Sequence, residues 1–376
     1  MKGEAFRREG RSIGGYMASV DILPPVFPEA VPVVFGADDT FFIPLVVCIQ
    51  SLVENTSPEN NYDIVVLANK FRPQYVELLS RIAEGRPNVS IRVYDVAPFL
   101  ACWDLSKLKT GHRLSLATYY RLFIPELMRD YDKVLYIDGD TVLLEDIAHL
   151  YEHDITGCYA GAVRDYNIIR DMSSSFKAHV QGLLGMEDTS QYFNAGVLLL
   201  DIAAMRRDFP LDFLMEQAQL KGAKHHDQDV LNSLFYGKVR FLHPRWNCMW
   251  QNEELYAPVE GGREALASPS LVHYPGSGKP WLKAGAFLPA ARHYWKYALS
   301  CPYADEIVRV FHEDCRRSVR EYPKALFQYF RYQLCAMVLG ERKRRYYGGK
   351  AAKLREELRE TRRIMRSGKH ELPWQD

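Results

Sequence analysis

Two aspartates separated by one residue follow a short apolar run near the middle of the chain. Asp138 and Asp140 flank Gly139, directly after residues 133–137, which have the sequence KVLYI. A buried strand fixes the start of the loop that follows it, so two carboxylates in that loop can converge on one divalent cation that neither would hold alone. A solvated turn would explain the same two aspartates, so the prediction of a metal site needs further ligands.

A histidine and a glycine-rich turn occur together later in the chain. His273 ends an apolar run, and Gly276 and Lys279 follow it within a few residues. Backbone N–H groups of such a turn and a Lys ammonium are the groups that bind a diphosphate, and an imidazole beside two carboxylates favours manganese over calcium or magnesium. By itself, His273 is also consistent with a histidine packed in the core.

Patterns typical of strands alternate with helical patterns from residue 31 onwards. This alternation predicts an α/β fold with a central, mostly parallel sheet flanked by helices. Ligands of such sheets bind beyond the carboxyl ends of the strands, so Asp38 and Asp39 after the first strand should share a sheet edge with Asp138 and Asp140. Strands are predicted at residues 31–35, 62–67, 89–94, 134–137, 158–163, 196–200 and 239–242, and helices at 73–83, 115–127 and 228–235.

Composition is that of an ordinary globular protein. Of the 376 residues, 47% are hydrophobic and 25% are charged, which excludes a disordered or fibrous chain. The seven cysteines show no C-x-x-C spacing, and their odd number favours a reducing compartment over a disulfide framework. The sequence shows neither a secretion signal nor an apolar run of about 18 residues. We therefore expect a cytoplasmic protein.

Four segments are predicted from changes in composition along the chain. They are an amino-terminal arm (1–29), the α/β domain (30–285), a helical extension (286–340) and a basic tail (341–376). The tail contains 12 Lys and Arg but only 6 Asp and Glu, in a helical pattern. It could lie on an anionic membrane at its inner face or be a solvated charged helix. No basic surface interleaved with aromatics suggests a nucleic-acid partner.

Five segments, in the same order, resemble glycosyltransferase family 8, the retaining GT-A enzymes that include bacterial lipopolysaccharide α-galactosyl- and α-glucosyltransferases. They are residues 34–39 (VFGADD), 138–140 (DGD), 193–197 (FNAGV), 226–229 (HDQD) and 273–281 (HYPGSGKPW). The resemblance implies a GT-A fold and a hexosyltransferase. Its donor would be a UDP-hexose carrying glucose or galactose, and its acceptor a glycan or glycolipid such as lipopolysaccharide or another cell-surface polysaccharide.

The resemblance also implies a role for each matching residue. Asp138, Asp140 and His273 would hold Mn²⁺, with Mg²⁺ as the alternative ion. Phe41 and Thr40 depart from the Tyr and Asn frequent in bacterial relatives, which weakens the expected contacts with base and ribose. The UDP-binding residues would be Asp38, Thr40, Phe41, Arg121, Asp138, Gly139, Gly276 and Lys279. The sugar-binding residues would be Arg121, Asp165, Asn194, Asp227 and Gln228, of which Asp227 and Gln228 would be catalytic.

Two other functions fit part of the sequence. Residues 137–142 (IDGDTV) satisfy the motif of haloacid-dehalogenase-like phosphatases, in which Asp138 would be a phosphorylated nucleophile. Several strands precede the motif here, and residues 273–281 would have no role in such an enzyme. A non-catalytic sugar-binding relative is the second alternative, although Asp227 and Gln228 are present. Locally, Arg121 could instead pair with Glu126, and Asp227 could be only a helix cap.

Overall fold

The computed structural model describes residues 22–101, 103, 108, 116–170, 172–219, 222–338 and 341–367. Residues 1–21 of the predicted arm and 368–376 of the predicted tail lie outside the described residues. The chain forms two compact units, one up to His273 and one from Tyr274 onwards. The predicted boundary between residues 285 and 286 stays a prediction.

The first unit is built on a seven-stranded sheet with the strand order β3-β2-β1-β4-β7-β6-β8. Strands β3, β2, β1 and β4 run parallel, β7 is antiparallel to both β4 and β6, and β8 is parallel to β6. A smaller sheet has the order β5-β10-β9. The ten strands among the described residues are β1 Val31–Ala37, β2 Tyr62–Ala68, β3 Val89–Asp95, β4 Lys133–Ile137, β5 Thr141–Leu143, β6 Ala160–Arg164, β7 Phe193–Asp201, β8 Val239–Phe241, β9 Cys248–Met249 and β10 Leu271–His273.

The central strands are apolar on both sides because helices cover a mostly parallel sheet. Every residue of β2 is buried, and β4 is buried from Val134 to Ile137. The α-helices of this unit are α1 Phe42–Glu54, α2 Pro73–Ile82, α3 Ala97–Leu100, α4 Ile124–Leu127, α5 Ala148–Tyr151, α6 Tyr166–Arg170, α7 Ser174–Gly182, α8 Ile202–Asp208, α9 Leu211–Ala218, α10 His226–Phe235, α11 Glu253–Tyr256 and α12 Gly262–Ala267. Short 3₁₀ helices span Asp39–Phe41, Leu116–Leu122, Thr189–Gln191 and Pro244–Asn247.

One predicted helix differs in kind from the observed structure. The pattern over 115–127 predicts a single α-helix, whereas the described residues form the 3₁₀ helix Leu116–Leu122 followed by the short α4. Pro125 lies in the first turn of α4. Because proline has no amide hydrogen and favours the first turn of a helix, it is compatible with a new helix start but not with a helix interior.

The second unit is helical. It contains α13 Lys283–Ala286, α14 Ala291–Ala298, α15 Ala304–Val338 and α16 Glu341–Ser367. In α16, Ala351 and Leu358 are buried while Met365 is exposed. Lys283 donates to Thr361 Oγ1 at 2.8 Å, which ties α16 to α13. Among the described residues, no helix is long and apolar enough to span a membrane.

Candidate active site

The predicted sheet edge is present in the first unit. Strands β1 and β4 are parallel neighbours, with Val33 opposite Leu135. Their carboxyl ends therefore point the same way, and both the loop that starts at Asp38 and the loop that starts at Asp138 leave the sheet at this edge. Parallel pairing is what allows residues so distant in sequence to share one side of the sheet.

The two aspartates and the histidine predicted as metal ligands lie together. Strand β5 follows Asp140 directly, and β10 pairs with it so that His273 is opposite Thr141. One potential ligand atom from each of Asp138, Asp140 and His273 lies within 4.8 Å of the others. His273 Nε2 is 3.3 Å from Asp140 Oδ1 and 4.0 Å from Asp138 Oδ2. Asp140 and His273 are buried.

This set of atoms fits a divalent cation. Two carboxylates and one imidazole are ligands that Mn²⁺ accepts, and carboxylates without the imidazole would suit Mg²⁺ or Ca²⁺ equally well. Gly196 of β7 allows His273 and Asp138 to lie close together. A Cβ atom at this position would lie 2.5 Å from His273 Cε1 and 2.8 Å from Asp138 Oδ2, so any larger side chain would displace one of these two groups.

Arg121 joins the metal cluster to the residues predicted to contact the sugar. Its Nη2 atom is 2.9 Å from Asp138 Oδ1, and its Nε atom is 3.0 Å from Asp227 Oδ2. The guanidinium also lies over the ring of Tyr136, 4.3 Å from its centroid. Burial lowers the pKa of Arg121, but the charges of Asp138 and Asp227 outweigh burial and raise it. Arg121 is therefore a permanent cation between two acids.

The alternative prediction that Arg121 pairs with Glu126 is wrong. Glu126 pairs with Arg129, three residues further along the chain. Arg121 is 5% exposed and is thus not on a helix surface.

Asp227 is not a helix cap. Helix α10 begins at His226 with His225 at the cap position, so Asp227 lies in the first turn. Thr118 donates its hydroxyl to Asp227 Oδ1 at 2.7 Å. Burial raises the pKa of Asp227, while Arg121 opposes that shift. The buried carboxylate is thus held by partners far away in sequence.

Three other predicted sugar-binding residues form a second cluster. Asn194 donates to Asp165 Oδ2 at 3.0 Å, and Gln228 Nε2 donates to the same oxygen at 3.2 Å. Gln228 Oε1 accepts from Ala195 N at 3.0 Å. Because both amides are hydrogen-bonded, their donor and acceptor ends have fixed directions. Asp165 lies in the loop before α6, Asn194 lies in β7 and Gln228 lies in α10.

The predicted nucleotide loop is held by local contacts. Asp38 Oδ1 accepts from Thr40 N at 2.9 Å and from Phe41 N at 3.2 Å, which caps the 3₁₀ helix Asp39–Phe41. Thr40 is exposed and Phe41 is half-buried. Gly139 packs on α1, where an added Cβ would lie 3.3 Å from Leu45 Cδ1.

Gly276 and Lys279 belong to the second unit. Gly276 has a φ of +79°, in the left-handed region that favours glycine. Lys279 Nζ donates to Tyr274 O at 2.7 Å, so the ammonium folds back over the turn that contains Gly276.

Sequence reasoning missed three residues of this site. Tyr136 donates to Asp138 Oδ1 at 2.8 Å, and Thr118 holds Asp227. Asn247 contacts the ring of His273, with 2.9 Å between Asn247 Oδ1 and His273 Nδ1. Tyr136 lies in the apolar run before the aspartates, and its hydroxyl could have been noticed there. Asn247 has no local signal, because it stands alone in a loop between two weak strand patterns.

The sheet is mostly parallel, two aspartates follow its central strand β4, and a histidine at the end of β10 lies beside them, which is the arrangement of a GT-A type glycosyltransferase. Residues 32–285 match the model of Glycosyl transferase family 8. The chain belongs to this family.

Three known proteins show the extent of the similarity. Lipopolysaccharide 1,2-glucosyltransferase of Escherichia coli K12 is 29% identical over 75% of this chain and 81% of its own length. A structure of the galactosyltransferase LgtC with donor and acceptor sugar analogues has 26% identity and a TM-score of 0.59, covering 72% of this chain and 96% of LgtC. The bifunctional glycosyltransferase WbbM has 30% identity and a TM-score of 0.67, covering 77% of this chain but only 53% of WbbM.

These comparisons confirm the predicted family and the predicted GT-A fold. They also confirm the enzyme class, since relatives named as glucosyl- and galactosyltransferases support a hexosyltransferase. The phosphatase alternative is set aside by the family assignment, because its motif belongs to another fold.

Proposed function

We propose that this enzyme transfers glucose or galactose from a UDP-sugar to a glycan or glycolipid acceptor, with Mn²⁺ and with retention of configuration. The acceptor would belong to lipopolysaccharide or another cell-surface polysaccharide. The meeting of Asp138, Asp140 and His273 within 4.8 Å is the observation that supports this proposal most directly. The names of the E. coli glucosyltransferase and of LgtC support a hexose donor and a glycan acceptor.

In this proposal Asp138, Asp140 and His273 hold the metal ion. When bound, the ion supplies positive charge that offsets the charge developing on the departing diphosphate. Gly276 N–H and Lys279 would bind the same diphosphate from the glycine-rich turn. Contacts with the uridine would come from Asp38, Thr40 and Phe41, and Gly139, between the two aspartates, would contact the nucleotide through its backbone.

Donor specificity is assigned to the polar cluster of Asp165, Asn194 and Gln228. The amides of Asn194 and Gln228 have their donor and acceptor ends fixed by the hydrogen bonds described above, and the Asp165 carboxylate accepts from both. A hexose with the wrong configuration at one carbon would leave a buried polar group without a partner. Such unpaired groups are what allow a site to discriminate strongly against an analogue.

The surroundings of Asp227 favour substitution on one face of the sugar. Its two carboxylate oxygens are engaged by Thr118 and Arg121, which reduces its strength as a nucleophile. In the proposed reaction the bond from the anomeric carbon to the phosphate oxygen breaks, and the acceptor hydroxyl attacks from the same side. The departing phosphate takes the proton of that hydroxyl. Asp227 and Gln228 stabilise the oxocarbenium-like state between the two events.

The test is release of UDP from UDP-Glc, UDP-Gal and UDP-GlcNAc, measured with Mn²⁺, with Mg²⁺ and with a chelator. We expect one hexose donor to be turned over fastest with Mn²⁺. The Asp140→Ala variant should lose about 10³-fold in rate, because the metal contributes several kcal/mol of charge stabilisation. Asp130→Ala is the matched control, since Asp130 is exposed. Metal-independent turnover by the wild-type enzyme would contradict the proposal.

Domain roles follow the predicted segments. Residues 30–285 would form the transferase domain, 286–340 a helical extension and 341–376 a basic tail. In this proposal the tail contacts anionic lipid at the inner face of the membrane, with the protein otherwise in the cytoplasm. Lys353, Arg355 and Arg359 of α16 are exposed. Each cation near such a surface contributes about 1 kcal/mol to binding.

Cosedimentation with vesicles tests the membrane contact. Wild type should bind vesicles that contain phosphatidylserine and should not bind vesicles of phosphatidylcholine alone. The triple variant Lys353→Glu, Arg355→Glu, Arg359→Glu should stay in the supernatant with both. Equal partitioning of variant and wild type would remove the tail from the proposal without affecting the transferase assignment.

A further inference from the structure

One buried asparagine contacts the proposed metal ligand His273 on the side away from the two aspartates. Asn247 ends the 3₁₀ helix Pro244–Asn247 and is fully buried. The next residues form β9, which pairs in parallel with β10, and β10 ends at His273. Asn247 therefore directly precedes β9, two residues before Met249, the residue of β9 that pairs with His273. Asn247 Oδ1 lies 2.9 Å from His273 Nδ1, while His273 Nε2 faces the acids.

The donor directions in this network are set by a backbone amide. Gly196 N–H donates to Asn194 Oδ1 at 2.9 Å, and a backbone N–H can only donate. The other end of Asn194, its Nδ2, donates to Asp165 Oδ2 at 3.0 Å. Both contacts give the amide of Asn194 the same orientation. Its oxygen is therefore the atom that faces Asn247.

The orientation of the Asn194 amide determines the orientation of the Asn247 amide, and through it the tautomer of His273. Asn247 Nδ2 donates to Asn194 Oδ1 at 2.9 Å, so Asn247 presents its oxygen to the imidazole. An amide oxygen only accepts hydrogen bonds, and thus His273 Nδ1 must hold the proton. The lone pair of a neutral imidazole in this tautomer is on Nε2. That atom is the one 3.3 Å from Asp140 Oδ1.

We propose that Asn247 is a positioning residue that holds His273 as the Nδ1–H tautomer, with Nε2 directed at the metal. The inference rests on the proposed function, since it takes His273 to be a ligand. Hydrogen bonds of this kind to the second ring nitrogen fix ring orientation, and their loss typically weakens metal binding about 10- to 100-fold. The same network ends at Asn194 and Asp165, so Asn247 also connects the proposed sugar cluster with the metal ligands.

The test is a titration of the full chain with Mn²⁺ alone, in which free Mn²⁺ is followed by electron paramagnetic resonance. Asn247→Leu removes both side-chain hydrogen bonds at nearly constant volume and should weaken Mn²⁺ binding about 10- to 100-fold. Asn247→Asp keeps an acceptor for His273 Nδ1–H but loses the donor to Asn194 Oδ1, so it should weaken Mn²⁺ binding clearly less than Asn247→Leu. Asn88→Leu is the control, because Asn88 also makes two side-chain hydrogen bonds, to Ser57 O and Asn60 O.

UDP release at rising Mn²⁺ concentration provides a second measurement. Excess Mn²⁺ should restore activity to Asn247→Leu, which a purely structural defect would not allow. If the leucine variant does not fold, Asn247→Ala takes its place. If the leucine or alanine variant binds Mn²⁺ with wild-type affinity, the inference about Asn247 is overturned while the proposed metal site stands. A loss of Mn²⁺ affinity in Asn247→Asp equal to that in Asn247→Leu would have the same consequence. No Mn²⁺ binding by wild type would overturn the proposed metal site and this inference with it.

Discussion

Arginine–aspartate ion pairs occur in two regions of this enzyme, each next to the carboxyl end of one of two neighbouring strands. After β1, Arg72 Nε lies 2.7 Å from Asp39 Oδ2, with the two side chains 52% and 30% exposed. Near the end of β4, Arg121 lies 2.9 Å from Asp138, which is 26% exposed, and 3.0 Å from Asp227. Arg121 and Asp227 are each only 5% exposed. The distances are nearly equal, so burial is the main difference between the two regions.

Burial changes what each pair contributes. Water and salt screen the exposed pair, which typically contributes about 0–1 kcal/mol. In the buried cluster, losing one partner leaves a charge without compensation in a medium of low dielectric. The exposed loop is therefore tolerant of change, while the buried cluster depends on each of its members. The predictions below test this difference from the largest expected effect to the smallest.

Arg121→Met should be the most destabilising change. It leaves Asp138 and Asp227 close together without their shared cation, and we expect a loss of about 3–5 kcal/mol in the free energy of unfolding. Arg72→Met is the matched control and should cost less than about 1 kcal/mol. Chemical denaturation of both variants at pH 7 measures the two losses. Equal losses would show that burial does not separate these ion pairs.

Asp229→Asn tests a buried acid that hydrogen bonds hold without an arginine. Asp229 accepts from Tyr192 OH at 2.6 Å, from Lys224 N at 2.7 Å and from His179 Nε2 at 2.9 Å. Burial raises the pKa of Asp229, but these hydrogen bonds outweigh burial and lower it below its ordinary 3.8. We expect the variant to lose about 1.5–3 kcal/mol of unfolding free energy at pH 7.

The pH dependence of that loss has a defined sign. A carboxylate with a lowered pKa in the folded state contributes stability above its unfolded pKa, and the contribution disappears as pH falls through the folded pKa. The difference between wild type and Asp229→Asn should thus shrink below about pH 3.8. Asp130→Asn is the control, because Asp130 is an exposed acid. A difference that stays constant with pH would contradict the assigned cause.

Among the three main variants, Asp38→Ala should have the smallest effect on stability. The change removes the cap of the 3₁₀ helix Asp39–Phe41, in which Asp38 accepts from Thr40 N and Phe41 N. We expect a loss of about 1 kcal/mol in unfolding free energy. Thr40→Val removes only the hydroxyl that donates to Asp38 and should cost less. A loss as large as that of Arg121→Met would break the contrast between the two regions.

The same contrast separates what could be predicted from what could not. The strands and the acidic loops at their ends follow from periodicity and short spacing. The interpretation of Asp227 as a helix cap was wrong because it considered only neighbours in sequence, while its partners Thr118 and Arg121 are on another segment. The helix predicted at 115–127 was wrong because an apolar pattern does not distinguish 3₁₀ turns from an α-helix.

By itself, the sequence determined the order of strands and helices, the positions of the acidic loops and the set of residue types available for chemistry. These depend on side-chain periodicity and on interactions between residues a few positions apart. Only the tertiary structure decided that Arg121 is shared by two acids and that Asn247 orients His273. Those contacts require strands from distant parts of the chain to pair in one register, and no local pattern encodes which buried polar groups then meet.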